Sequence, residues 1–497
     1  MEKKKLIQIM PEDSVAVALE DFPAGEVLEL NGETVTLTDP LPFGHKVALK
    51  DLQEGDNIIK YGHPIGHALC DIKKGNHIHT HNLKTNLEGV LNYSYGGGFK
   101  RESGQPAGAK FDGYVRPDGR VGIRNELWII PTVGCVNTTA KILEKQAGEA
   151  LGDKVDGVCA YTHPYGCSQM GDDLTTTRIL LKGLIENPNA GGVLILSLGC
   201  ENNNLETFLP FLGDYDKNRV KFLVTQEAEN EYEEGMELLR SLADYAAGFH
   251  REPVDASKLV IGFKCGGSDA FSGITANALC GRINDKLTAY GGTTILTEVP
   301  EMFGAETILM DRAVDKEVFE KEVGLINNFK QYFMDHHQTI YENPSPGNKK
   351  GGISTLEEKS LGCIQKGGKA PVVDVLALGE QAVKNGLNLL TGPGNDLVSC
   401  TNLAASGAQI ILFTTGRGNP YGGAVPTVKI SSNSRLYERK KHWIDYNAGV
   451  ILEGKDFEEA ADELFEYLLK LASGKVHTRN EEYGYKEIAL FKNGVTL

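Results

Sequence analysis

From about residue 111 onward, short apolar runs alternate with helix-length amphipathic stretches. Such alternation restricts a chain to an α/β architecture built on mostly parallel sheets. Apolar runs at 127–133, 157–163 and 193–198 are followed by helical patterns at 138–150, 172–185 and 227–247. A second series follows at 259–263, 293–297, 372–376 and 409–413, closed by a helical pattern at 457–472. The first 95 residues read differently. Their runs, at 15–19, 34–37, 46–49 and 57–61, are separated by Gly, Asp and Pro turns with no helix between them, which predicts a compact all-β module. The expected organisation is an all-β domain over 1–95, a glycine-rich linker over 96–110, an α/β domain over 111–252 and a C-terminal α/β domain over 253–497.

Charge narrows the partners. The 497 residues carry 51 basic and 67 acidic side chains, a net charge of −16. Nucleic-acid binding needs a basic face and is disfavoured. A small anionic substrate is not, because a few local cations overcome the net field. No run approaches the roughly 20 apolar residues of a membrane span. The basic start is followed by no apolar h-region. Nine cysteines, none in a C-x-x-C unit, fit reduced thiols and a cytoplasmic setting. A homo-oligomer is compatible with everything above.

Four of the cysteines share one kind of position. Cys135, Cys167, Cys200 and Cys265 each follow an apolar run and sit among glycines or helix-starting residues. The carboxyl ends of strands form the ligand crevice of open α/β sheets. Thiols near helix N-termini have lowered pKa values and favour metals or nucleophilic work. The spacing matches neither zinc ribbons nor ferredoxins, which use short C-x-x-C units. A dispersed three-cysteine site for iron, alone or in a labile cluster with one open position, remains. An iron–sulfur electron carrier is the competing reading from another class, and the missing C-x-x-C units count against it.

Other chemistry-bearing groups are polar loops and histidines. His77, His79 and His81 would align on one side of an extended segment, and neutral imidazole suits Fe, Zn or Mn. His45 and Lys46, in a turn, suit a carboxylate. Arg417, between glycines, suits a two-pronged grip on one. Asn395 and Asp269 stand at further polar strand ends and are candidate substrate contacts. His163, four residues before Cys167, is a candidate proton carrier. No Walker A or dinucleotide fingerprint is present.

These strings together resemble the altronate/galactarate dehydratase family. The resemblance is carried by Gly44-His45-Lys46, His77 to Asn82, Val121 to Trp128, Pro131 to Asn137, Tyr165 to Gln169, Gly199 to Asn203, Cys265 to Asp269, Asn343 to Lys349 and Thr415 to Gly418. The galactarate enzymes lack the triple-histidine string, so the altronate branch is the better match. The resemblance implies an N-terminal β-clip module of the SAF type on a larger α/β body. It also implies metal-dependent dehydration of D-altronate to 2-dehydro-3-deoxy-D-gluconate in hexuronate catabolism, with Fe2+ expected and Mn2+ a substitute. Galactarate dehydration or a related sulfo-lyase reaction is the alternative within that chemistry. The expected roles are iron on Cys167, Cys200 and Cys265, with Cys135 as neighbour or spare and His79 and His81 as the rival set. Arg417 and Lys46 would hold the carboxylate, and His163 would move protons.

Overall fold

The computed structural model describes residues 4–99 and 108–496. The centre of the expected linker, 100–107, lies outside the described residues. The first 86 residues form only short strands, as their turn-punctuated pattern requires. Leu6–Ile7, Val15–Ala18, Lys46–Ala48 and His77–Ile78 make one antiparallel sheet, and Asn57–Lys60, His63–Ala68 and Leu83–Lys84 make another. Val27–Leu30 and Glu33–Thr36 pair as a separate hairpin.

The body holds two parallel sheets. The smaller runs in the order Gly157–Ala160, Glu126–Pro131, Ala190–Ser197, Val220–Val224. The larger has seven strands in the order Val372–Leu376, Gly386–Leu390, Thr293–Leu296, Val260–Cys265, Ile410–Thr415, Thr427–Ser431, Tyr446–Asn447. Both are buried on their two faces, which explains their continuous apolar runs. In the larger sheet the chain leaves Val260–Cys265 toward one edge and later returns to its other side. Its carboxyl end is therefore a topological switch point, where ligands bind in open α/β sheets. A small antiparallel sheet joins the halves, because Arg251–Asp255 pairs with Lys110–Val115. The boundary expected between 252 and 253 thus falls inside a strand.

The β module docks on the body of its own chain. Val15, Ala48, Ile58 and Ile65 share one apolar core with body residues such as Phe303 and Leu361. Lys46 and Lys60, both buried, reach the single buried carboxylate of Glu358 at 2.9 and 2.7 Å. Thr355 Oγ1 donates to Ile65 O at 2.6 Å. Backbones also touch. Gly352, at φ +96°, leaves no room for a side chain, since a Cβ there would lie 2.1 Å from Gly44 O. Gly352→Ala is expected to lower unfolding free energy by about 2 kcal/mol or more, since it combines backbone strain with a clash. Denaturant melts of the two proteins check this.

Candidate active site

The segment Asn343 to Lys350 stands over the carboxyl end of Val260–Cys265 with a cleft on each side. Its end is a short helix, Pro346–Lys350, fixed by reciprocal capping between Ser345 and Asn348. Asn348 Nδ2 also donates to Ser268 O at 2.8 Å, which ties the segment to the strand end.

The first cleft, about 480 Å³, has Cys265, Glu301, Asn343, Lys349 and Lys359 in its walls. At its floor lies a buried triad. Cys265 Sγ is 3.3 Å from Cys363 Sγ. Glu301 Oε2 accepts from Cys265 Sγ at 3.2 Å and from Cys363 Sγ at 3.0 Å. Among the described residues this is the one group of three or more His, Cys, Asp or Glu ligand atoms lying within 4.8 Å of one another.

Three buried ammonium groups surround the triad. Lys359 donates to Glu301 Oε1 at 2.9 Å. Lys366 donates to Glu298 Oε2 at 3.0 Å, and Lys264 also pairs with Glu298. Burial by itself would raise Glu301, but Lys359, Lys264 and Lys366 outweigh it and hold the carboxyl well below its ordinary range. The Cys363 thiol is pushed far up by its bond to Cys265 and by burial.

The second cleft, about 360 Å³, is cationic, with Lys350, Arg417, Arg435 and Arg439 in its walls. The Arg435 guanidinium lies 4.0 Å above the Phe43 ring, so the β module contributes to this cleft. Arg417 is exposed, and its guanidinium has no hydrogen-bond or ion-pair partner among the described residues. Its loop is held from below by Asp269. That carboxylate accepts from Phe271 N, Ser272 N, Ser272 Oγ, Ser432 Oγ and Asn433 Nδ2. A Cβ on Gly416 would collide with it at 2.2 Å.

The histidines roof the same segment. His45 Nδ1 lies 3.0 Å from His77 Nε2. His45 Nε2–H donates to Lys350 O at 3.3 Å, and His79 Nε2–H to Lys349 O at 2.9 Å. The rings of His77, His79 and His81 do lie on one side, 5.5–5.8 Å apart. Burial, then the neighbouring imidazoles, push His77 down to about 3. Burial and Lys46 push His79 down to about 4. Both are neutral near pH 7.

Several expected roles meet different surroundings. Lys46 is fully buried, and its three protons go to Gly352 O, Ser354 Oγ and Glu358 Oε2, which leaves none for a substrate carboxylate. His163 is buried with both nitrogens engaged, Nε2–H donating to Pro131 O at 2.8 Å and Nδ1 accepting from Tyr165 N at 3.2 Å. Burial pushes it down to about 4, so it is a neutral turn-holder rather than an exposed base. Asn395 is exposed, and its Oδ1 caps a helix by accepting from Val398 N at 3.1 Å. Asp269 is itself in the wall of the second cleft and is tied to the Arg417 loop through Asn433, whose Nδ2 donates to both Asp269 Oδ2 and Gly416 O. The set Cys167, Cys200 and Cys265 is not gathered. Cys265 is buried with Cys363 and Glu301, whereas Cys135, Cys167 and Cys200 are exposed at the ends of the smaller sheet's strands. Cys363, Glu301 and Lys359 are not among the candidates named from the sequence; the one local signal for Glu301 is that Glu298 to Gly304 is a polar strand end.

Three domain families match in chain order: the altronate/galactarate dehydratase SAF domain over 4–86, the D-galactarate dehydratase/altronate hydrolase second domain over 113–247, and the D-galactarate/altronate dehydratase C-terminal domain over 256–496. The chain belongs to the altronate/galactarate dehydratase family. Within it, the altronate dehydratase of Bacillus subtilis is 52% identical over 497 residues, covering 99% of this chain and all of that one. That of Escherichia coli is 50% identical, covering 99% of both chains. The galactarate dehydratase of Escherichia coli is 34% identical, covering 98% of this chain and 96% of that one. The chain is accordingly a hydro-lyase, and its N-terminal β module is the SAF domain. No helix among the described residues is long and apolar enough to cross a membrane.

Proposed function

We propose that this hydro-lyase removes water from D-altronate to give 2-dehydro-3-deoxy-D-gluconate, in the cytoplasm, with Fe2+ held by Cys265, Cys363 and Glu301. The observation that carries the reading is the pairing of this donor triad with cations that have no ion-pair partner among the described residues, on either side of one short segment. Thiolate and carboxylate donors together suit a first-row divalent ion, and three protein ligands leave a position open. When bound, such an ion acts as a Lewis acid on a hydroxy acid, worth several kcal/mol. Because such ligands bind in their deprotonated forms, its affinity rises with pH.

The chain's own residues supply the rest. Dehydration takes the C2 proton beside the carboxylate and expels the C3 hydroxyl, so negative charge builds on the carboxylate. Arg417 and Lys350 in the second cleft and Lys349 in the first oppose that charge. Glu342 lines the first cleft with no hydrogen-bond or ion-pair partner among the described residues, and it is the carboxylate free to take the proton. Asn348, Asp269 and the histidines keep the segment and the Arg417 loop in place. The enol released tautomerises to the keto acid.

The test is anaerobic assay of chelated and Fe2+-restored protein on D-altronate, galactarate and sulfolactate, with detection of keto acid. Turnover of galactarate or sulfolactate in preference to altronate overturns the substrate assignment. Arg417→Ala is expected to reduce kcat/KM by about 10–100-fold, the loss of one charge-assisted contact. Steady-state kinetics at fixed iron check this.

A further inference from the structure

Three thiols take no part in the centre above. Cys135 sits in the turn Gly134–Val136 after Glu126–Pro131, Cys167 in the loop after Gly157–Ala160, and Cys200 in the loop after Ala190–Ser197. These strands are immediate neighbours, with Glu126–Pro131 in the middle. The chain steps to one side of that strand and then crosses to the other, so the three cysteines crown a second topological switch point.

The three loops are laced together by hydrogen bonds. Gly134 N donates to Tyr165 O at 2.8 Å. Ser168 N donates to Asn202 Oδ1 at 2.8 Å, and Asn203 N to Gly166 O at 3.0 Å. Asn203 Nδ2 donates to Thr132 O at 3.1 Å. The carboxylate of Glu201 is turned inward, accepting from Thr132 Oγ1, Ser197 Oγ and Gly199 N, each at 2.6 Å. Gly166 passes so near the central strand that a Cβ would lie 2.0 Å from Thr132 O. On this rigid platform all three thiols are exposed, while Cys159, Cys280 and Cys400 are buried. Gln226 Nε2 donates to Cys200 Sγ at 3.4 Å.

The three sulfurs do not all lie within 4.8 Å of one another, unlike the ligands of the C-terminal triad. A single ion would need them closer. A multi-iron cluster spreads its thiolates wider, because each binds a different iron. We infer that Cys135, Cys167 and Cys200 hold an iron–sulfur cluster with one iron lacking a protein thiolate, separate from the centre on Cys265, Cys363 and Glu301.

The test reads cluster rather than turnover. The full chain is purified anaerobically, reconstituted with Fe2+ and sulfide, and assayed for acid-labile sulfide, visible absorption and the EPR signal after dithionite reduction. Wild type is expected to hold labile sulfide with a defined EPR signal. Cys135→Ser, Cys167→Ser and Cys200→Ser should each lose both, with thermal melts unchanged before reconstitution. Cys265→Ser and Cys363→Ser should retain them. Three results overturn the inference: a wild type without labile sulfide, sulfide and signal surviving in all three strand-end variants, or their loss following Cys265 instead. Failure of altronate turnover leaves these readouts intact, so the two assignments fail separately.

Discussion

Replacing Glu358 by alanine is expected to lower unfolding free energy by about 3–5 kcal/mol, the usual cost of leaving buried charge unpaired. One buried carboxylate serves two buried ammonium groups, Lys46 and Lys60, across the contact between the SAF domain and the body. Its loss strands both. Glu358→Gln should do nearly the same, because an amide restores the shape without the charge. The pair also sets an acid limit. Burial would raise Glu358, but Lys46 and Lys60 hold it down at about 2, below its ordinary value of 4.5. Stability from a depressed carboxylate is complete above the unfolded pKa and is lost as pH falls from 4.5 through 2. Lys46 works in the other direction. Burial brings it down to about 8, so its charge costs stability at lower pH, and the cost is relieved as pH rises from 8 toward 10.5. Burial would lower Lys60 too, but Glu358, with Tyr61 and Asp13, outweighs it and holds Lys60 up. Urea melts from pH 2 to about 11 cover both windows. Wild type should weaken steeply below pH 4.5, and Glu358→Gln should show a shallower acid slope. An unchanged midpoint at pH 7 would sink the assignment.

On the proposed iron centre, Glu301→Gln is expected to reduce kcat by roughly 10²–10³-fold, since several kcal/mol of Lewis-acid stabilisation would be lost with the ion. It should also leave the purified protein short of iron. Two effects combine in this variant. The ligand is lost, and the Lys359 ammonium loses the carboxylate it meets at 2.9 Å. Cys363→Ser separates them, because it removes a ligand and leaves the Lys359–Glu301 pair intact. Metal analysis with kinetics on both variants decides the matter. Full iron content and wild-type kcat in Cys363→Ser would remove Cys363 from the centre.

The fold was well marked in the sequence because its signals are local. Buried parallel strands read as unbroken apolar runs, and covering helices as amphipathic stretches. The helix expected at 138–150 is Asn137–Leu151, that expected at 172–185 is Gly171–Glu186, and Phe457–Ala472 was placed to the residue. Glycine-flanked strand ends likewise mark loops that line the two clefts, including the one carrying Arg417.

The site was legible only in part. Leu356–Cys363 has the polar composition of a surface helix, yet every residue in it is buried. Its Glu, Lys and Cys side chains face the SAF domain and the Cys265 strand end, not water. Nothing local announces that, because their charges are compensated by ion-pair partners as far as 312 residues away. Lys46 misled for the same reason. A lysine beside a turn histidine looks like an anion site until its buried acceptors are seen.

By itself, then, the sequence determined the layered α/β body, the all-β module and the set of loops from which a site could be built, since these follow from periodicity and turn chemistry. The tertiary structure alone decided the partition of the cysteines. Cys265 joins Cys363 and Glu301 under a shell of lysines, whereas Cys135, Cys167 and Cys200 stand together on another sheet. Strand-end position is written in the chain. Which strand ends become neighbours depends on strand order and domain docking, which arise from contacts between distant segments.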